Sequence, residues 1–236
     1  MWTIALGEGC LTRTSKAMHR FEAILWDLDG TLVDSEPLHR RAILGIFDEL
    51  GVDTSRIEDR DFVGRSELDF WVFFRERFGL APEVKALIEW KDSVYAEMVQ
   101  GELQIMPGAL VALEAFRGAG RPMAIASGST PRAIRAAVDA VGVGPYFREL
   151  VSSLDPGVPR SKPHPDVFLA AAKRLGVAPE RCLVIEDAEW GVKAAKAANM
   201  RVVVVPNDAT RDHDLSAADW VLPSLIELPT LELLGS

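Results

Sequence analysis

The sequence predicts an α/β fold: an open, mainly parallel sheet with helices on both faces, carrying a small α-helical insertion. Three observations point there. Short apolar runs recur as continuous blocks without alternation, as strands buried on both faces do. Helix-forming segments lie between them. Between residues 35 and 104 the strand signals stop and only helical patterns remain.

The strand candidates are residues 23–27, 122–127, 150–152, 182–186 and 201–205, with a weaker one at 220–222. A helix over 131–141 opens on Thr130-Pro131, a cap residue followed by proline in the first turn. The helix over 165–175 begins at a proline and stops at Gly176. The segment 190–198 is rich in alanine and ends at Asn199, which tolerates the left-handed conformation that closes a helix. In the inserted block, helices fall over 37–50, 67–78 and 82–99, and Phe70-Trp71-Val72-Phe73-Phe74 supplies the apolar bulk of a helix-bundle core. The expected organisation is an N-terminal extension over 1–20, an α/β core from 21–34 and 105–236, and a helical cap over 35–104. Its hinges fall near 33–36 and 104–108.

The 236 residues, 48% of them hydrophobic, can bury a sizeable core. The net charge of −9, from 35 acidic and 26 basic residues, argues against non-specific binding to nucleic acid or to an anionic membrane. It leaves room for an anionic small substrate held by a local cluster of cations. The chain contains no run of 18 apolar residues, so no transmembrane helix is expected. The two cysteines, Cys10 and Cys182, form no metal pattern, and Cys182 reads as a buried small hydrophobe. A reducing cytoplasm is the simplest home, and the oligomeric state stays open between monomer and homodimer. Residues 1–19 read as a loosely held extension, with Met18 as an alternative start and a mitochondrial presequence as the minor alternative.

Four segments carry chemistry. In the first, an apolar stretch ends in Asp27 and Asp29 before Gly30 and Thr31 turn the chain. Alternate residues of a strand point the same way, so both carboxylates can meet at one edge. One can attack while the other handles a proton, and both can hold a hard cation. Alone, the Asp-Gly pair reads as an ordinary turn. The second segment, Ser127-Gly128-Ser129-Thr130-Pro131, offers a hydroxyl and backbone N–H groups at a helix start, where a phosphoryl oxygen fits. Alone, it reads as helix capping. The third, Ser161-Lys162-Pro163, holds a lysine on a stiff backbone; alone, Lys162 reads as a surface residue. In the fourth, an apolar strand ends in Glu186-Asp187, a costly arrangement unless something positive sits beside it. Magnesium suits such oxygen ligands: Asp27, the carbonyl of Asp29, and Asp187, with Glu186 close by. All four segments fall where an open parallel sheet forms its sites, just beyond the carboxyl ends of strands.

These residues resemble the haloacid dehalogenase superfamily of phosphohydrolases, in particular the members with a helical cap after the first strand. The matching motifs are Asp27-Leu28-Asp29-Gly30-Thr31-Leu32-Val33-Asp34-Ser35-Glu36, Ser127-Gly128-Ser129, Lys162-Pro163, and Glu186-Asp187 with Gly191 and Ala194-Ala195. The resemblance implies a Rossmann-like core and a Mg²⁺-dependent phosphatase. Asp27 is then the nucleophile that forms an aspartyl-phosphate, and Asp29 the general acid and base. Ser127, Gly128 and Lys162 bind the phosphoryl group, and Asp27, Asp29, Asp187 and Glu186 make the metal site. His39 and Arg65 match positions that resemble substrate-facing ones in cap-bearing sugar phosphatases and β-phosphoglucomutase. The expected substrate is a small phosphorylated metabolite, a sugar or polyol phosphate. The alternative is a hexose phosphomutase, against which Thr130 counts, since such relatives usually carry Lys there. A fold-only binding protein is disfavoured because Asp27, Asp29, Lys162 and Asp187 are all present.

Overall fold

A computed structural model describes residues 21–58 and 66–230. Its centre is a six-stranded sheet in the order β5-β4-β1-β6-β7-β8. The strands are β1 (Ala23–Trp26), β4 (Met123–Ser127), β5 (Glu149–Ser152), β6 (Cys182–Glu186), β7 (Arg201–Val204) and β8 (Trp220–Val221). Every neighbouring pair is parallel. A second, two-residue antiparallel pair joins β2 (Val33–Asp34) to β3 (Gln104–Ile105).

The apolar runs without alternation have a direct cause. Ile24 and Trp26 of β1, Ile125 of β4 and Ile185 of β6 belong to one buried cluster. Ala23 and Leu25, Ala124 and Ala126, and Val184 belong to another on the opposite face. Helices α4 (Ala109–Gly118) and α5 (Pro131–Ala140) cover the first face through Ala112, Leu113, Phe116, Ile134 and Val138. Helices α6 (Asp166–Leu175) and α7 (Glu189–Ala197) cover the second through Val167, Phe168, Val192 and Ala195. A strand covered on both faces has no polar side to alternate with.

Between β2 and β3 lie α1 (Glu36–Glu49), α2 (Glu67–Phe78) and α3 (Val84–Glu102). Their far ends share a cluster of Ile46, Phe47, Phe70, Trp71, Phe74 and Leu87. Truncating such a buried aromatic to alanine costs about 3–5 kcal/mol. Leu38, Ala42, Tyr95 and Val99, at the near ends of α1 and α3, join the first face of the sheet core instead. The inserted helices are therefore welded to the core at their base.

Helix α4 has no counterpart among the helices expected from the sequence. Its N-cap is Gly108, left-handed at φ 86° with no capping side chain. A Cβ there would lie 2.5 Å from the backbone of Ile226, so that close approach requires glycine. The spacing of Ala109, Ala112, Leu113 and Phe116, all buried, is the signal that was available. Helix α3 loses helical geometry at Gln100 (φ −69°, ψ 97°) and Gly101 (φ 92°), so its regular part ends at Val99, as the sequence predicts.

Candidate active site

Asp27, Asp29, Ser127, Lys162, Glu186 and Asp187 meet at the carboxyl end of β1, β4 and β6, and His39 reaches the same place from α1. Strand order reverses around β1, since the chain leaves it for β4 on one side and returns to β6 on the other. Crevices at such reversals are where open α/β sheets bind ligands.

Asp27 follows β1, and its main chain is held by a bond from its N–H to the carbonyl of Ile185, 3.0 Å. The ammonium of Lys162 lies 2.5 Å from its Oδ1 and 2.6 Å from Oε1 of Glu186. The other oxygen of Glu186 accepts the N–H groups of Asp187 and Ala188, at 3.0 and 3.1 Å. Asp187 accepts Thr31 Oγ1 at 3.0 Å. Burial would strip the proton from Lys162, but Asp27 and Glu186 outweigh it and hold the ammonium above the ordinary lysine range. Burial pushes the Asp27 carboxyl up to about 7; Lys162 pulls it down, and Glu186 and Asp29 add to the rise. Burial also raises Asp187 well above the usual carboxylate range, with Glu186 and Asp27 contributing.

Asp27, Glu186 and Asp187 are all buried and each brings an oxygen within 4.8 Å of the others. Of the described residues, Lys162 is the cation paired with this group. Three buried carboxylates against one ammonium leave negative charge unbalanced, and proton affinity rises in response. A hard divalent cation with oxygen ligands fits that deficit.

Asp29 has a different environment. Oδ1 accepts Ser35 Oγ at 2.6 Å and faces His39 Nε2 at 3.1 Å. Oδ2 accepts Ser127 Oγ at 3.1 Å and Ser129 Oγ at 2.7 Å. Burial would raise its carboxyl, but His39 and the serine hydroxyls outweigh it and hold Asp29 well below the ordinary range. Its carboxylate thus stands apart from the acidic cluster, and only its main-chain carbonyl is left as the expected cation ligand. Gly128 is exposed at the mouth of the serine turn. His39 is fixed from behind, its ring stacked on Tyr95 with centroids 4.0 Å apart and planes 2° from parallel. Arg65 lies outside the described residues, as do Cys10 and the extension over 1–20; Cys182 is buried and free. Trp190, just after the acidic pair, lies at the surface, with the Lys193 ammonium 4.9 Å from its ring centroid.

Sequence reasoning missed Ser35, the Ser129 hydroxyl, Tyr95 and Asn207. The first two sit inside quoted motifs and could have been found from hydroxyl chemistry. Tyr95 carried no signal beyond its place on an apolar helix face.

The sequence model of the haloacid dehalogenase-like hydrolases matches residues 21–199. Protein CbbY of Rhodobacter capsulatus is 33% identical over 220 residues, covering 86% of this chain and 93% of its own. Hexitol phosphatase B of Escherichia coli K12 is 34% identical over 216 residues, covering 90% and 96%. A crystal structure of a CbbY variant from Rhodobacter sphaeroides in complex with xylulose-1,5-bisphosphate superposes with a TM-score of 0.77 at 29% identity, over 88% of this chain and 96% of that one. The chain belongs to the haloacid dehalogenase-like hydrolases, as an enzyme of the phosphatase type.

Proposed function

We propose that this enzyme is a Mg²⁺-dependent phosphatase of a small phosphorylated metabolite, a sugar or polyol phosphate, working through an aspartyl-phosphate on Asp27. The observation that carries the reading is the opposite fate of two carboxylates two positions apart. Asp27 sits against Lys162 within an acidic cluster, and Asp29 sits in a cradle of hydroxyls and an imidazole. Asp27 thus has a cation beside the oxygen that would attack, and Asp29 has a hydrogen-bonding shell that aims it for handling a proton.

In this reading an Asp27 oxygen attacks phosphorus and the bond to the leaving alcohol breaks. Asp29 takes up a proton from solvent on its Oδ2 side as substrate binds and gives it to the departing oxygen, while His39 keeps hold of Oδ1. Asp29, now ionised, takes a proton from water as that water attacks phosphorus, which restores Asp27 and releases phosphate. Ser127, Gly128 and Lys162 hold the phosphoryl oxygens. Asp27, Asp187 and the carbonyl of Asp29 would hold Mg²⁺, with Glu186 fixing Lys162 beside them. When bound, the cation screens the repulsion between an anionic nucleophile and an anionic phosphate. The helices over 35–104 act as a cap, with His39 and Arg65 facing the substrate's organic end. The substrate class is supported by the name of the hexitol phosphatase relative and by the bisphosphate bound to the CbbY variant.

The test is phosphate release from a panel of phosphorylated metabolites, with wild type and Asp27→Asn in parallel. Hydrolysis of sugar or polyol phosphates by wild type alone is expected. Turnover by well-folded Asp27→Asn would remove the nucleophile assignment. Isomerisation of a hexose phosphate that depends on added glucose 1,6-bisphosphate would assign a mutase instead.

A further inference from the structure

The loop after β7 sends one side chain back into the acidic site. Asn207 Nδ2 lies 2.9 Å from Oδ2 of Asp187 and 3.1 Å from the carbonyl oxygen of Gly30. On the other side of the amide, Oδ1 accepts the N–H of Ala209 at 2.8 Å and of Thr210 at 3.2 Å. The main-chain N–H of Asn207 donates to Thr210 Oγ1 at 3.0 Å. A primary amide has two donor hydrogens and two acceptor directions, and here all four are used. The network also fixes which way the amide points. A flipped amide would set its oxygen against a carboxylate and a carbonyl, and its NH₂ against two N–H groups.

The consequence falls on Asp187. One of its oxygens is held by Thr31 and the other by Asn207, so the plane of the carboxylate is set from both sides. Each oxygen keeps a lone-pair direction free. Gly30 explains how Asn207 gets so close. It has φ 79°, and a Cβ there would lie 2.8 Å from both Asn207 Nδ2 and Asp187 Oδ2. The glycine of the first motif therefore does more than turn the chain: it opens the gap through which the amide reaches the carboxylate.

We propose that Asn207 is a positioning residue for the cation site, orienting Asp187 and tying it to the Gly30 turn. The inference rests on the metal-dependent reading above. Partners that orient a ligand in this way are worth about 10–100-fold in metal affinity when lost.

The probe is Mn²⁺, titrated into the full-length, metal-free protein and followed by the electron paramagnetic resonance signal of free Mn²⁺. Asn207→Ala is expected to raise the Mn²⁺ Kd about 10–100-fold. It should shift the Mg²⁺ concentration for half-maximal turnover of an aryl phosphate in parallel, leaving KM at saturating Mg²⁺ unchanged. Thr210→Val disturbs the loop without touching the amide donors, and should bind Mn²⁺ within about twofold of wild type. Circular dichroism checks that both variants are folded; should Asn207→Ala fail that check, Asn207→Ser, which keeps a short acceptor but cannot reach Asp187, takes its place with the same expectation. A Kd within twofold of wild type for the Asn207 variant overturns the proposal. So does an equal weakening by Thr210→Val, which would assign the effect to loop integrity. If wild type itself binds no Mn²⁺, the metal-dependent reading falls first, and the two failures are told apart.

Discussion

Gly191, on the first turns of α7, passes so close to the Glu186 carboxylate that a Cβ at position 191 would stand 1.7 Å from Oε1 and 1.8 Å from Cδ. That oxygen is the one that holds Lys162. The missing side chain is thus the space in which Glu186 lies and from which it steers the lysine onto Asp27. Gly191→Ala must evict the carboxylate. The expected result is a stability loss of about 1–3 kcal/mol, as for other forced overpacking, together with at least a hundredfold fall in kcat as Lys162 loses one of its two anchors. Urea denaturation and phosphate release measure the two effects. Near wild-type activity would show that Lys162 does not depend on Glu186 for its place.

This pair also shows why some of the site could be read from the chain and some could not. Glu186-Asp187 and Asp27 announce themselves because carboxylates ending an apolar strand are electrostatically expensive. Gly191 follows at a fixed distance on the next helix. Asn207 lies in a polar loop where any asparagine passes for turn chemistry, and its function depends on a contact with Gly30, 177 positions away. The sheet was legible because burial on both faces leaves continuous apolar runs; α4 was not, because its start carries a left-handed glycine in place of a cap. Glu67 and Lys91 look like ordinary helix-surface charges in the sequence, and the structure buries their contact.

Lys91, on α3, is buried. Its side chain is 1% exposed, with Nζ 3.0 Å from Glu67 Oε2 and 3.1 Å from Asp92 Oδ1. Asp92 also accepts a short hydrogen bond from Thr130, the N-cap of α5, so the charge network ties α3 to the sheet layer. Lys91→Met keeps the volume but leaves two acids without their counter-charge. Breaking a buried pair in this way costs about 3–5 kcal/mol. Lys91→Met combined with Asp92→Asn should recover part of that loss, because the neutral amide no longer needs a cation. Denaturant melts of the three proteins decide it. A loss under about 1 kcal/mol in Lys91→Met would show that water reaches and solvates the acids.

Tyr95 backs the ring with which His39 reaches Asp29. The stack and the hydrogen bond together fix the imidazole in the plane from which it faces Oδ1. His39→Ala should lower kcat about tenfold to a hundredfold, a fraction of what complete loss of general acid–base help costs, with a smaller change in KM. Tyr95→Phe keeps the stacking face and should stay within about twofold of wild type. Tyr95→Leu removes the face and should follow His39→Ala. Equal activity for the Phe and Leu variants would show that the stack has no part in placing His39.

The acidic cluster makes cation binding and pH inseparable. Folded and metal-free, Asp27 keeps its proton up to about 7, whereas an unfolded aspartate releases it near 3.9. The folded state therefore binds more protons than the unfolded state between these values, and stability falls as pH rises across that window. A divalent cation binds the ionised cluster and reverses the loss. With a chelator present, the melting temperature should be lower at pH 8 than at pH 5.5. Adding Mg²⁺ at about 100 times its Kd should contribute about 2.7 kcal/mol, or very roughly 5–10 °C for a chain of this size. At one fixed Mg²⁺ concentration the gain should be larger at pH 8, where no proton has to be displaced. Asp27→Asn should flatten the pH dependence seen with chelator and weaken the response to Mg²⁺. The same gain at both pH values in wild type would mean that Asp27 is already ionised at pH 5.5, so that Lys162 alone balances its charge.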